Sequence, residues 1–316
     1  MTLALNRLNL AHNQGVPTWA GPGSLIDLDF ANDRYWPALP AVALVDTRAS
    51  DQWVVDTAGT YSQKTAGVLA YSNSGLLVEP AATNSFVRSN DFNNVGGWAK
   101  TNVTVTSASL SALGLSFDKI AATTAASTLL NQQTASIGNA LGNTYSIIVG
   151  KGSGAVDANR FYFRDITGGT FFQGVQLNLD TGAITYLTGS SGASVVQLAT
   201  GYWRLSLTGT PPEGHTLQGY AGFAGGVTET AGEYSYVSNA QLEVGTVATS
   251  IIPTVATGVT RAANAITIQR TGIGRIVFTF DDNTQQTVSG IDMGTQYAIP
   301  TNLNRRLIKR LTGYAS

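Results

Sequence analysis

The sequence contains no cysteine and only two histidines, His12 and His215. The first absence excludes disulfides, zinc–thiolate centres and cysteine nucleophiles. The second excludes a three-histidine metal site, and a Ser–His–Asp triad would have to use one of two residues that sit in no recognisable motif. His12 lies in a polar stretch and His215 follows the turn-like Pro211-Pro212-Glu213-Gly214, so both are expected to be surface or turn residues. Charge is scarce too. Charged residues make up 12% of the chain, about half the roughly 25% of an average globular protein. A net charge of −1 leaves no electrostatic footprint for general nucleic-acid binding. No run approaches the roughly 18–20 apolar residues needed to span a bilayer, so no membrane insertion is expected. Residues 1–7 lack the apolar run of a signal peptide, and folding in a cytosol is expected from that.

What is present points to short strands and tight turns. The 316 residues include 35 glycines and are 43% hydrophobic, enough for two or three cores at roughly 100–150 residues each. Apolar residues alternate rather than recur at the helical period. In Arg160-Phe161-Tyr162-Phe163-Arg164 the two phenylalanines share one face, and Arg160, Tyr162 and Arg164 share the other. In 202–208, Trp203, Leu205 and Leu207 form one face and Tyr202, Arg204, Ser206 and Thr208 the opposite one. A hairpin runs out through 175–179, turns at Asp180-Thr181-Gly182, and returns through Ile184 and Tyr186. Further strands are expected at 102–106, 115–120, 145–149, 194–198, 219–223 and 234–244. Together they describe an antiparallel sandwich or jelly roll. The Ala-rich window 121–133 leans towards helix, but its Thr and Ser content favours a loop or a single turn.

The pattern divides the chain in three. Residues 1–75 form an irregular segment with Trp19, Trp36 and Trp53 among Gly, Pro and Asp. Its periodicity is too weak for a core of its own, so it is expected to pack against the sandwich or a neighbouring subunit and to anchor the chain in an assembly. Residues 76–256 form the central jelly roll. Residues 257–316 form a small β-rich module whose hairpin turns at Asp281-Asp282-Asn283-Thr284. In its last stretch, 303–314, Leu303, Leu307 and Leu311 fit both strand and helix periods, with strand preferred. From Arg261 onward seven Lys/Arg face three acids, a local +4, which reads either as a docking patch or as a solvated strand edge.

Four stretches resemble the head-spike and tail-fibre subunits of tailed phages and gene-transfer agents. They are Leu76-Leu77-Val78-Glu79-Pro80-Ala81-Ala82-Thr83-Asn84, Asn90-Asp91-Phe92 with Trp98 and Val103-Thr104-Val105, Gly201-Tyr202-Trp203-Arg204-Leu205-Ser206-Leu207, and Ala240-Gln241-Leu242-Glu243-Val244-Gly245 with Ile252-Pro253-Thr254. Thr260-Arg261-Ala262 also fits, and 278–314 resembles the β-rich ending of related phage proteins. Where that family often carries an arginine this chain has Ala82, so any contact it makes is absent here. The resemblance implies a jelly roll similar to carbohydrate-binding modules, in a virion protein assembled in the host cytoplasm. It implies other virion proteins as partners, a homo-oligomer, and host capsular polysaccharide or another surface glycan as the ligand. It does not separate head from tail.

A sugar site needs an aromatic face with a few polar groups at its rim. Arg160, Tyr162 and Arg164 supply that on one strand face, and two guanidiniums suit an acidic polysaccharide; the alternative is an ordinary solvent-facing strand. Trp98 and Trp203 sit among alternating apolar residues and are expected in the core. A depolymerase would need two carboxylates roughly 5–9.5 Å apart. Asp165, Asp180, Glu213, Glu229 and Glu233 lie near expected loops and strand ends, but no local motif pairs them, and no catalytic residue is assigned. No cofactor is expected. Asp157 is a candidate for a structural calcium loop, although the spaced Asp/Asn ladder of a strong calcium motif is missing. The rival to a glycan-binding spike or fibre is a collar, decoration or connector protein that binds only virion subunits. The other alternative is a polysaccharide depolymerase.

Overall fold

The computed structural model describes residues 17–37, 43–56, 58–123, 129–153, 159–222, 230–291, 294 and 296–315. Among them strands and turns account for the architecture, with no α-helix, and no helix is long and apolar enough to cross a membrane. The chain divides into two units, Met1–Ala81 with Ala262–Ser316, and Ala82–Arg261.

The Ala82–Arg261 unit is a jelly roll, with bounds shifted from the expected 76–256. One antiparallel sheet has the strand order Val103–Ala112, Leu115–Ala122, Tyr234–Val244, Asn143–Gly150, Tyr202–Gly209, Ala193–Ala199. The other has the order Ile184–Thr188, Thr170–Leu177, Arg160–Asp165, Thr216–Tyr220, Leu129–Ser136, Ala99–Thr101. Hairpins pair Val103–Ala112 with Leu115–Ala122 and Arg160–Asp165 with Thr170–Leu177, whereas the central neighbours, such as Asn143–Gly150 beside Tyr234–Val244, are distant in sequence because the chain crosses between the sheets, as jelly rolls do. The inward faces meet in one core containing Phe86, Phe92, Trp98, Tyr145, Phe161, Phe163, Trp203, Leu205 and Leu207. The alternation read from sequence is thus the alternation observed, because successive strand residues point to opposite faces. Trp98 and Trp203 are both core, 0% and 6% exposed. Trp203 donates its indole N–H to the Leu179 carbonyl at 2.8 Å, and its ring lies against Gly182 of the 180–182 turn. Gly182 has φ +74°, the left-handed conformation that the turn requires and glycine adopts without strain.

Much of the familiar sequence turns out to be a hydrogen-bonded clasp. Asn84 is fully buried and uses both ends of its amide. Its Nδ2 donates to the Ala240 and Ile252 carbonyls, and its Oδ1 accepts from the Phe86 and Leu242 amides. Gln241 accepts from the Ile252 amide at 2.8 Å. Thr254 donates its hydroxyl to the Phe86 carbonyl and its amide to Ser89 Oγ. Glu243, 1% exposed, accepts from the Thr249 amide and hydroxyl. Buried polar groups must be paired, so these side chains lock residues 245–254 back onto the Tyr234–Val244 strand.

The flanks depart from the expected three-part division. In place of an irregular 1–75 and a separate 257–316, the two ends build one unit. Its main sheet has the order Arg34–Trp36, Ser24–Asp29, Leu307–Tyr314, Arg275–Phe280, Gln285–Ser289, with Gly75–Leu77 also pairing Leu307–Tyr314 and Tyr71–Ser72 pairing Gly75–Leu77 in turn. Its core takes Ile26, Leu28, Phe30, Leu76 and Val78 from one end and Ile276, Phe278, Phe280, Ile308 and Leu311 from the other. Neither end holds enough apolar strand face alone, and pairing between ends leaves no trace in local periodicity. The 303–314 stretch contains the strand expected there. In the 121–133 window the strand Leu115–Ala122 ends and Leu129–Ser136 begins, with 124–128 outside the described residues.

Arg305, Arg306 and Arg310 of the basic C-terminal stretch meet carboxylates. Arg310 binds Asp27, which is fully buried. Arg306 reaches Glu79 at 3.5 Å, and Arg305 holds Asp281 at 2.7 Å and Asp282 at 3.2 Å. Arg310–Asp27 joins two paired strands, and the other pairs tie together residues just outside strand ends. A second network in this unit centres on a buried pair: Arg48 pairs with Asp46 at 2.6 Å, donates to the buried Gln52 Oε1, and reaches the carbonyls of the exposed Thr65 and Val68.

Candidate functional site

Arg160–Asp165 is the third strand of its sheet, between Thr170–Leu177 and Thr216–Tyr220. Its burial alternates, with Phe161, Phe163 and Asp165 inside and Arg160, Tyr162 and Arg164 half-buried on the outer face. The three residues singled out in the sequence therefore do share a face. Strand pairing adds two more aromatic rings that local sequence did not select. Tyr162 stands opposite Tyr220, and a bulge between Phe163 and Arg164 brings Phe171 opposite Arg164. Tyr162 meets Phe171 edge-on at 5.3 Å and Tyr220 at 6.1 Å, and Phe171 lies 6.2 Å from Tyr220. The Arg164 guanidinium sits over the Phe171 ring, 4.9 Å from its centroid. Its Nε is buried and makes no hydrogen bond among the described residues.

A glycine makes this arrangement possible. Gly174 stands opposite Tyr162, and a Cβ there would come within 2.4 Å of the tyrosine ring. The missing side chain lets the ring lie down on the sheet. Burial pushes the Tyr162 phenol up, against a smaller downward pull from the Arg160 charge, so at neutral pH the hydroxyl remains a hydrogen-bond donor. The result is an aromatic trio with a cation stacked on one ring and a second arginine on the same strand. Such a face can stack on the C–H face of a sugar ring while the guanidinium fork meets a carboxylate. The signal for Phe171 was weak in sequence, because Phe171-Phe172 carries one ring out and one in. Phe172 does turn inward, against the core.

The other candidates fall elsewhere. His215 is not a bland turn residue: its Nδ1 lies 2.7 Å from Oδ2 of the buried Asp165. Asp165 also accepts from the Gly168 amide, so both of its oxygens are engaged in holding a strand end. Asp180 pairs with Lys151 at 2.5 Å. His12, Asp157 and Glu229 lie outside the described residues.

No protein-family model matches the chain, and no curated protein does. Several solved structures are similar in part, among them the following three. The enzymatically active domain of bacteriophage CBA120 tailspike protein 4 matches with a TM-score of 0.32 and 14% identity, over 50% of this chain and 21% of the tailspike chain. The CBM22-1 xylan-binding domain of Paenibacillus barcinonensis Xyn10C matches with a TM-score of 0.30 and 17% identity, over 52% and 93%. A carbohydrate-binding module of the β-sandwich superfamily matches with a TM-score of 0.33 and 18% identity, over 69% and 84%. The chain thus spans about a fifth of the length of the tailspike domain. At these scores the likeness is partial, and the sandwich assignment rests on the strand pairing of this chain.

Proposed function

We propose that this chain is a virion structural protein, a head-spike or tail-fibre subunit, whose jelly roll holds host-surface glycan on the outer face of the Arg160–Asp165 sheet. The observation that carries the glycan reading is the Tyr162–Phe171–Tyr220 cluster with Arg164 stacked upon it. A large aromatic surface held at the sheet exterior, laid flat over a glycine and flanked by cations, serves no core. Two arginines on that face favour an acidic polysaccharide. Placement in a virion, with other virion proteins and further copies of this chain as partners, rests on the four stretches that resemble spike and fibre subunits.

The test of binding is an array of capsular and lipopolysaccharide glycans probed with the purified chain. Binding to acidic glycans is expected, weakening as salt rises, because exposed charge pairs are screened over about 8 Å at physiological ionic strength. The double substitution Arg160→Ala, Arg164→Ala should abolish that preference while the protein stays folded. An array without signal would leave the collar or connector reading. Locating the chain in electron micrographs of intact particles tests the virion placement independently.

A further inference from the structure

The opposite sheet repeats the device. On its outer side one row runs Tyr202–Gly150–Tyr236–Lys119 across four adjacent strands. Gly150 is again the residue without a side chain: a Cβ there would lie 3.0 Å from the Tyr202 ring and 3.2 Å from Tyr236 Cβ. Tyr236 meets Tyr234 edge-on at 5.5 Å, and the Lys119 ammonium sits over the Tyr234 ring, 3.9 Å from its centroid. Tyr202 meets Phe117 edge-on at 5.5 Å. Phe117 and Ile148 are fully buried although alternation places them on this outer side, so the tyrosines rest on an apolar floor outside the main core. Tyr202, Tyr234, Tyr236 and Lys119 remain half-buried, with an edge still open. Burial, helped by the neighbouring Tyr234 phenol, pushes the Tyr236 hydroxyl up and keeps it a neutral donor.

Each outer face therefore carries a glycine notch, a tyrosine lying across it, further rings edge-on, and one cation stacked on a ring. Ordinary solvent-facing strands need none of these. From this repetition we infer that the sandwich has a second glycan-contact face, formed by Tyr202, Tyr236, Tyr234 and Lys119, which takes the same class of ligand, an acidic sugar chain. The inference rests on the glycan reading of the first face. Two faces on opposite sides of one sandwich make each subunit bivalent, and linked sites raise avidity without any new contact.

Isothermal titration of the full chain with hexagalacturonate as the probe separates the outcomes. Two equivalents per chain are expected. Tyr162→Ala should leave one equivalent, and Tyr234→Ala with Tyr236→Ala should leave the other. Lys119→Gln, which removes only the cation, should weaken the second equivalent several-fold at low salt and leave the first unchanged. This milder variant keeps the test valid if the double tyrosine variant loses its fold. One equivalent that vanishes with Tyr162→Ala and is untouched by Lys119→Gln overturns the second face and leaves the first standing. No binding to the wild-type chain overturns both.

Discussion

Replacing Gly174 with alanine should weaken ligand binding while leaving the protein folded. The glycine does not adopt a positive φ, so its backbone accepts a side chain. The new methyl would sit 2.4 and 2.6 Å from two Tyr162 ring carbons and 2.8 Å from Thr188 Cγ2. Those distances are impossible contacts, and the tyrosine ring must lift off the sheet. Lifting it forfeits two edge-on contacts, with Phe171 and Tyr220, worth about 0.5–1.5 kcal/mol each. Against that, glycine-to-alanine at a compatible site restores about 0.4–1 kcal/mol through the unfolded chain. The net cost is about 0–2.5 kcal/mol. At roughly 2–4 °C per kcal/mol for a domain of about 150–250 residues, the melting temperature should fall by at most about 10 °C. Binding to an acidic glycan at the first face should fall at least about tenfold, equivalent to 1.4 kcal/mol. Circular-dichroism melts and titration of the same preparation measure both quantities. Affinity within twofold of wild type would show that the flat Tyr162 ring makes no contact with sugar.

Trp203→Ala should behave in the opposite way, costing about 3–5 kcal/mol of stability because it empties a core position and strips the Leu179 carbonyl of its donor; a melt shifted by only a few degrees refutes that. Arg48→Ala should cost about 3–5 kcal/mol by leaving the buried Asp46 carboxylate unpaired, and a neutral result in denaturant titration would mean that water enters the network. Burial pushes the Glu243 carboxyl above its ordinary value of 4.5, despite hydrogen bonds from Thr249. The folded state then holds this proton more tightly than the unfolded state, so this group's contribution to stability is fully present below about 4.5 and is lost as pH rises through the folded value. Glu243→Gln should accordingly gain on wild type as pH rises from 4 to 8 in urea titrations, and a gain in the other direction would invert the assignment. A chain beginning at Leu76 should lose amide protection over Arg275–Phe280 and Leu307–Tyr314, since Ser24–Asp29 is removed from their sheet; unchanged hydrogen exchange there would show that the C-terminal strands stand alone.

The sequence by itself determined which way side chains point. Parity along a strand is a property of the local backbone, so Phe161 and Phe163 could be set inside and Arg160, Tyr162 and Arg164 outside without knowing any neighbour. Turn chemistry was legible for the same reason, as at Asp180-Thr181-Gly182, where one residue had to take a left-handed φ. The tertiary structure decided what stands beside what. Tyr162 acquires Phe171 and Tyr220 only through two strand registers, one of them carrying a bulge. The flanking unit depends on Asp27 and Arg310, which are 283 positions apart. Such pairings come from competition among all strands for partners and among all apolar faces for cover. No window of the sequence contains that competition, whereas the pleat of each strand is written residue by residue.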